Sequence, residues 1–418
     1  MANAFSKEEV VFFDQMLAGF DPNNITARQV SKYKPDGVRF ERGGMTVHRP
    51  LPEISKVVTG QSITATDITQ LTVPSALNLT SNILNVPFKM SAWELKDAQQ
   101  RDRKATSAVQ AIAANIDNTV ATAIANQGTL FVKQTAAITT YNQAAACKTA
   151  QTIRDVPMQQ PRTLILNATD AAGMAGNLAN RDAPLAGTSL SAYERSALPP
   201  IAGFDTFEAS FNPTIAAAAG TSKTVNGANQ RHVPLATDAN GLNVDNRSQI
   251  LTVNSGADIA VGDAFTIAGV FAVSHIHKNV TSELQTFRVL AVNGANLTIS
   301  PAIISADSSP TQAEIEYQNC SAAPANSAAI TFLNTVAAPA NTFFVNDAVE
   351  IIHGDISQID LNEGGVATMT GTTDSGIQIL MAKQGAIGDL TMTYRFTAWV
   401  GATVLVPDMC GVMVGSQT

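Results

Sequence analysis

SHIHK, residues 274–278, holds the two residues of this chain whose type and spacing come nearest to chemistry. His275 and His277 stand two positions apart, so on a strand both imidazoles would project from one face and could supply two ligands to a zinc ion. No Cys, Asp or Glu stands at close spacing to complete such a site. The remaining histidines, His48, His232 and His353, have no G-x-S-x-G or comparable nucleophile motif to serve. There is no G-x-x-x-x-G-K-S/T loop and no dinucleotide fingerprint, and GNLANRDAPLAG (176–187) is only a glycine-bearing loop. Cys147, Cys320 and Cys410 are odd in number and widely scattered, which points to a reducing compartment rather than a disulfide framework. These residues call for no catalytic group, no metal and no cofactor, so the function has to be sought in shape.

The composition narrows that search. A chain of 418 residues is long enough for two or three domains. Charged residues make up only 14% against about 25% in ordinary soluble proteins. Much of the surface must therefore be neutral and polar, and such a surface is cheap to desolvate. An ordinary alanine-rich soluble protein and a protein pressed against neighbours both fit this. The formal net charge of -8 argues against a basic face gripping nucleic acid. KDAQQRDRK (96–104) mixes both signs and reads as a solvated helix face. The N-terminus carries two glutamates before its apolar run and no basic leader, so no secretory signal is expected. WVGATVLVP (399–407) is far short of the roughly 20 residues that cross a bilayer and reads as a buried strand.

Several elements must position whatever surface matters. Ser6 and Glu9 have capping-box spacing and Gly19 stands where a helix would stop, which predicts a helix over about 7–18. Its Glu8, Glu9 and Asp14 lie beside Val10, Phe13 and Leu17, a pattern that can dock on a partner or cover the protein's own body. Residues 38–87 carry strand signals, GVRFE, MTVHRP and ITQLTVPSALN, and fit a two-stranded excursion. A second capping box, Ser91 with Glu94, opens a proline-free run to Gly128. Val109, Ile112, Ile116, Val120 and Ile124 recur there at helical spacing, with Asn115, Asp117 and Asn118 off the stripe. The run predicts one helix of roughly 36 residues, about 54 Å long.

Residues 129–215 alternate strands (LFVKQ, RTLILN, GFDTFEAS) with helices (YNQAAACKTAQTIRD, TDAAGMAGNLAN). Next come AAAAGTSKTVNGANQ (216–230), SAAPANSAA (321–329) and AAPAN (337–341), which are linkers by composition. Between them SQILTVN, VGDAFTIAGV, LQTFRVLAVNGANLTISPAI and EIEYQN read as closely spaced strands, with a hairpin at Asn293–Gly294. TFFVNDAVEII, GIQILMAK and LTMTYRFTAWVGATVLVP then resume sheet character. The pattern predicts an α+β host with an all-β barrel or sandwich inserted into one of its loops.

The run GLNVDNRSQILTVNSGADIAVGDAFTIAGV (241–270), followed by KNV, TFRVL, NLTISP and DAVEII, resembles the major coat protein of short-tailed, lambdoid-type bacteriophages. The resemblance implies the Hong Kong ninety-seven capsid fold, an α+β fold with an inserted Greek-key β-barrel. It implies an N-terminal arm at 1–35 and a strand with an extended E-loop at 36–90. A spine helix follows at 91–128, then the first part of a central domain at 129–221. The barrel takes 222–340, and the chain returns to the host at 341–418.

The same resemblance implies a virion protein that assembles with itself in the host bacterial cytoplasm. Its copies would form hexamers and pentamers of an icosahedral head, first as a procapsid around a scaffolding protein. The shell would expand as double-stranded DNA, held by non-specific contact, enters through a portal protein; no membrane is involved. Within HVPLATDANGLNVDNR (232–247), Asp238, Asp245 and Arg247 become candidates for contacts between capsomers. Glu8, Glu9 and Asp14 become candidates for meeting a basic scaffold segment. The alternative is a phage tail or surface-binding protein that uses the β module to attach to a receptor or glycan.

Overall fold

The structure, a computed structural model, describes residues 5–35, 46–51, 60–61, 71–77, 81–156, 160–179, 195–196, 198–209, 211–307, 309–354, 366–386, 388 and 391–418. Most of the expected E-loop therefore lies outside the described residues, as does the latter part of GNLANRDAPLAG. The chain forms two compact units, one of residues 1–47, 75–120 and 350–403 and the other of 48–74, 121–349 and 404–418.

In the first unit the N-terminal helix spans Lys7–Asn23. The capping box forms as expected: Glu9 Oε2 accepts the Ser6 N–H at 2.7 Å, and Ser6 Oγ accepts the Glu9 N–H at 3.3 Å. Gly19 does not stop the helix. A mid-helix glycine costs about 1 kcal/mol, but one more turn puts Phe20 into the core beside Phe12, Phe13 and Met16, all essentially inaccessible. Their partners are Phe88 and Phe396 on adjacent antiparallel strands, Ile83–Ser91 and Thr391–Val404. Thr391–Val404 also pairs with Gln378–Ala386, which pairs with Ala367–Thr372.

The single long helix expected over 91–128 is two helices. Ser91 and Glu94 cap a short Ala92–Lys96 turn; Asp97 is then extended, and its carboxylate accepts the Gln99 N–H at 3.0 Å, opening the helix Ala98–Gln127. An aspartate that caps so well competes with helix continuation. The main helix is about 45 Å long. Its stripe of Val109, Ile112, Ile116, Val120 and Ile124 is buried as expected. Asp117, beside the stripe, accepts the Ile25 and Ala27 N–H groups at 2.8 and 2.9 Å, and its burial holds the carboxyl above its ordinary range.

The second unit contains a five-stranded sheet ordered Leu130–Lys133, Cys410–Val414, Asn341–Val345, Arg162–Asn167 and Asp205–Ala209. Helices Tyr141–Ile153 and Ala168–Ala179 pack on its apolar core, with Cys147, Leu164, Phe204, Phe343 and Met413 at the centre. Asp205–Ala209 and Asn341–Val345 flank the same strand, so the chain between them is an excursion from one sheet.

Within that excursion six strands are hydrogen-bonded in the order Gln249–Thr252, Asn296–Ser300, Val280–Asn293, Ala264–Val273, Ala329–Phe332 and Lys223–Thr224. Three consecutive strands form a meander and Gln249–Thr252 returns to lie beside the last of them, the Greek-key arrangement. The sheet closes on itself: Val225 bridges Val253, and the Asn226 and Asn254 N–H groups reach the Thr252 and Thr224 carbonyls at 2.9 Å each. VGDAFTIAGV supplies the turn, with Gly262 at φ +92°, and then the strand that puts Phe265 and Ile267 into the barrel core. Phe265 faces Phe287 across the ladder with ring centroids 5.7 Å apart. The hairpin at Asn293–Gly294 forms.

Two expectations fail in this region. EIEYQN is not a strand, because Thr311 and Glu314 make a capping box for the helix Gln312–Glu316. SHIHK is a turn between strands rather than part of one, so His275 and His277 do not share a strand face.

The barrel is tied into its host by polar groups. Asn334, just past its last strand, donates to Asp263 Oδ1 and to the Ala216 carbonyl at 2.9 Å each, and accepts the Ala264 N–H at 3.1 Å. The sequence at 216–230 that reads as a free linker is thus fastened at its start. Arg288, fully buried on a barrel strand, donates to the Ala125 carbonyl of the long helix and lies 5.4 Å over the Phe131 ring. Burial pulls this guanidinium down to about 10. Removing the side chain leaves a cavity and an unpaired Ala125 carbonyl, whereas an apolar group of similar volume refills the space. Arg288→Ala should therefore cost about 2–5 kcal/mol, and Arg288→Met less. Thermal melts of the two variants check this; equal losses would show that the polar contacts of the guanidinium, not its volume, hold the joint.

Candidate functional site

A shell-forming or surface-binding chain acts through what it exposes, so the candidate site is built from the projecting segments. A continuous exposed run among the described residues is the finger within 232–247. Thr237 bridges Asn243, and residues 237–243 are all exposed, Leu242 at 65%. Asp238 shapes the tip: its carboxylate accepts the Asn240 and Leu242 N–H groups at 2.9 and 2.8 Å, which allows Gly241 to sit at φ +77°. Those hydrogen bonds, the one from Leu242 foremost, hold its carboxyl below the ordinary range.

Asp245 and Arg247 stand at the base and face each other. The guanidinium makes a bidentate pair with the Asp245 carboxylate at 2.9 and 2.8 Å and donates to the Val404 and Pro74 carbonyls at 2.7 and 2.8 Å. Asn246 between them is buried. It accepts the Leu235 N–H at 3.0 Å and donates to the Leu235 and Val244 carbonyls at 2.9 and 3.2 Å, while His232 contacts its Oδ1. The structure thus separates the three expected contact residues: Asp238 is displayed, and Asp245 with Arg247 anchors the finger from below.

The N-terminal helix makes a similar separation. Glu8 and Asp14 are exposed together with Val11, but Glu9 is only 2% exposed. It bonds inward to Lys383 Nζ at 2.7 Å and to the Tyr394 hydroxyl at 2.6 Å. Burial works against its charge, but the hydrogen bonds from Lys383, Tyr394 and Ser6 leave its carboxyl below the ordinary range. The same burial and the adjacent carboxylate push the Tyr394 phenol up. Capping spacing marked Glu9 in the sequence, yet nothing local showed a lysine and a tyrosine nearly 400 positions on.

Among the described residues no cluster of three or more His, Cys, Asp or Glu side chains could hold a metal ion, and the two histidines of SHIHK face carboxylates separately. His275 is buried against Asp408 at 3.4 Å, and His277 is 2.9 Å from Asp155. Sequence reasoning missed Asp155, Asn246 and Arg288 altogether, because their roles depend on partners remote along the chain.

The family model described as P22 coat protein, gene protein 5, matches residues 1–415. Among solved structures, the chain is similar to the CUS-3 coat protein I-domain at 46% identity, over 28% of this chain and 98% of that one, with a TM-score of 0.24. A structure from Mycobacterium phage Che8 matches at 11% identity over 93% of this chain and 90% of that one, with a TM-score of 0.42. The asymmetric unit of the bacteriophage PhiM1 mature capsid matches at 9% identity over 94% and 87%, with the same score.

The inward role of Glu9 has a pH signature. A carboxyl held below its ordinary range stabilises the fold above that range and loses this contribution progressively as the pH falls below it, towards the group's own lowered value. Glu9→Gln should loosen the N-terminal helix by about 1–3 kcal/mol at pH 7 and by less at pH 3. Hydrogen exchange of the helix amides at both pH values measures this, and an equal effect at both would contradict the assignment.

Proposed function

The chain belongs to the P22 coat protein family, and on that premise we propose that its copies tile an icosahedral phage head as hexamers and pentamers. It is a phage major capsid protein with the Hong Kong ninety-seven type of fold and an inserted β-barrel. The match over residues 1–415 takes in helix, barrel and host sheet together. It replaces the alternative of a tail or surface-binding protein that borrows the β module.

Assembly begins, in this reading, as a procapsid around a scaffolding protein in the host bacterial cytoplasm. The shell expands when double-stranded DNA enters through a portal. The product of the protein is geometry. A surface poor in charge can meet neighbours in two successive arrangements without stranding ions away from water. The net charge of -8 suits a container whose lining holds DNA only through weak, non-specific contacts.

Two surfaces serve the assembly. The exposed finger, with Asp238 at its tip and the Asp245–Arg247 pair at its root, reaches a neighbouring capsomer. The exposed acidic side chains Glu8 and Asp14 meet a basic scaffold segment, while Glu9 holds the helix in place. The observation that carries this reading is the family match along nearly the whole chain.

Electron microscopy of the full chain expressed with a scaffolding protein should show closed shells; persistent monomers across conditions would overturn the proposal. Asp238→Ala should lower shell yield or heat resistance while leaving the soluble subunit folded, because the residue touches only its own tip. Asp245→Ala should weaken both, because it also removes the carboxylate partner of the Arg247 guanidinium at the root. Equal shell yield from wild type and Asp238→Ala would remove the tip from the contact.

A further inference from the structure

The SHIHK turn is not explained by shell geometry, and its surroundings have the character of a switch. The turn Ser274–Asn279 leaves the barrel between two of its strands and closes on itself through the Lys278 N–H to the Ser274 carbonyl at 3.1 Å. It then lies against host residues at two points. Asp155 accepts the Ile276 and His277 N–H groups at 3.2 and 3.1 Å and the His277 ring at 2.9 Å. The His275 N–H reaches the Arg154 carbonyl at 3.3 Å, and its buried ring lies 3.4 Å from Asp408 Oδ2.

Asp155 is built for this. It follows the helix Tyr141–Ile153 at φ +57°, and the helix end has the Schellman pattern, with Val156 N–H to the Gln151 carbonyl and Asp155 N–H to the Thr152 carbonyl at 3.2 and 3.1 Å. Glycine is the ordinary occupant of that left-handed position. An aspartate there accepts backbone strain in exchange for a carboxylate that three donors of the turn use.

We propose that Ser274–Asn279 is a proton-sensitive latch between the inserted barrel and its host, with Asp155 as the anchor and His275 as the sensor. The imidazole of His275 presents Nε2 to Asp408, which leaves Nδ1 buried without a hydrogen-bond partner. A second proton on Nδ1 would be an unsatisfied donor in a dry site. It would also add a cation where the Arg154 guanidinium is fully buried, with Nε and one terminal nitrogen unpartnered. The groups that face His275 are Asp408 and Asp155 on the acidic side and Arg154 and Lys278 on the basic side. Lys278 Nζ is held by the Glu316 and Gln318 carbonyls, Glu283 acts on Arg154, and the Cys320 and Cys410 thiols are kept protonated by burial.

The direction follows. Burial lowers the affinity of His275 for a proton in the closed turn, so closure is favoured above the ordinary histidine value of about 6.5 and weakens as the pH falls below it. His277 is 69% exposed beside Asp155, and the variant His277→Ala separates its part from that of His275.

Hydrogen exchange on the full chain, corrected for the chemical exchange rate, tests this at pH 7.5 and 5.5. The Ile276 and His277 amides should open up to about tenfold more at the lower pH, with barrel strand amides such as Phe287 unchanged. His275→Gln should abolish that ratio and His277→Ala should keep it. Asp155→Gly suits the left-handed backbone and should expose the turn at both pH values without unfolding the barrel. Equal protection of the wild-type turn at the two pH values, or a ratio that survives His275→Gln, would overturn the sensor. Turn amides unchanged in Asp155→Gly would overturn the anchor, and this arm decides even where His275→Gln fails to fold.

Discussion

The carboxyl end of the helix Ala98–Gln127 sets the terms for much of the second unit. A helix ends with four carbonyls that no further turn can satisfy, and in a packed interior each must find a donor. Gly128 supplies its N–H to the Ile124 carbonyl at 2.8 Å. Two further donors come from the inserted barrel: Arg288 on the Ala125 carbonyl, and the Ser300 hydroxyl 3.5 Å from the Gln127 carbonyl. A cation at that end also matches the negative pole of the helix. The barrel is therefore the cap of the helix, and the two are energetically one object although they are built on different patterns.

That dependence explains what could be read from the sequence. Periodicity and capping report local preference, and they located the helices at 7, 141 and 168, the hairpin at Gly294, the stop at Gly128 and most strands of the barrel and the five-stranded sheet, but not Lys223–Thr224, Ala329–Phe332 or Cys410–Val414. Where they failed, a contact remote in the chain or a competing cap decided. The helix through Gly19 continues because Phe20 has an aromatic core to enter. Asp97 divides the long run because its carboxylate caps better than it continues. The linker at 216 is fastened by Asn334, more than a hundred residues away. For the candidate surfaces the residue types were legible and their allocation was not: Asp238 and Asp245 look alike in sequence, yet one faces water and the other a guanidinium.

Strand edges are the second constraint, because a protein gathered with many copies of itself meets the hazard of edge-to-edge pairing at high local concentration. The barrel answers this by closure, since the bridge from Val225 to Val253 joins its two outermost strands. The edge strand Leu130–Lys133 is blunted differently, with the Lys133 ammonium drawn to the Thr418 carbonyl at 2.5 Å. A module closed in this way can be inserted into a loop without offering a template to its neighbours, which leaves its turns free to differ in role. One turn becomes the displayed finger, another the turn held by Asp155.

Part of the small stock of charge is turned inside. Glu9 with Lys383, Arg288 at the helix end, Asp117 on two backbone amides and His275 with Asp408 all turn inward. Each is a buried polar arrangement with defined partners, the kind that specifies one geometry and rejects near alternatives. In the reading proposed above, a surface whose charges are few and partly committed to internal partners meets its neighbours at low desolvation cost, whereas strong ion pairs between subunits would strand charges out of water whenever they broke.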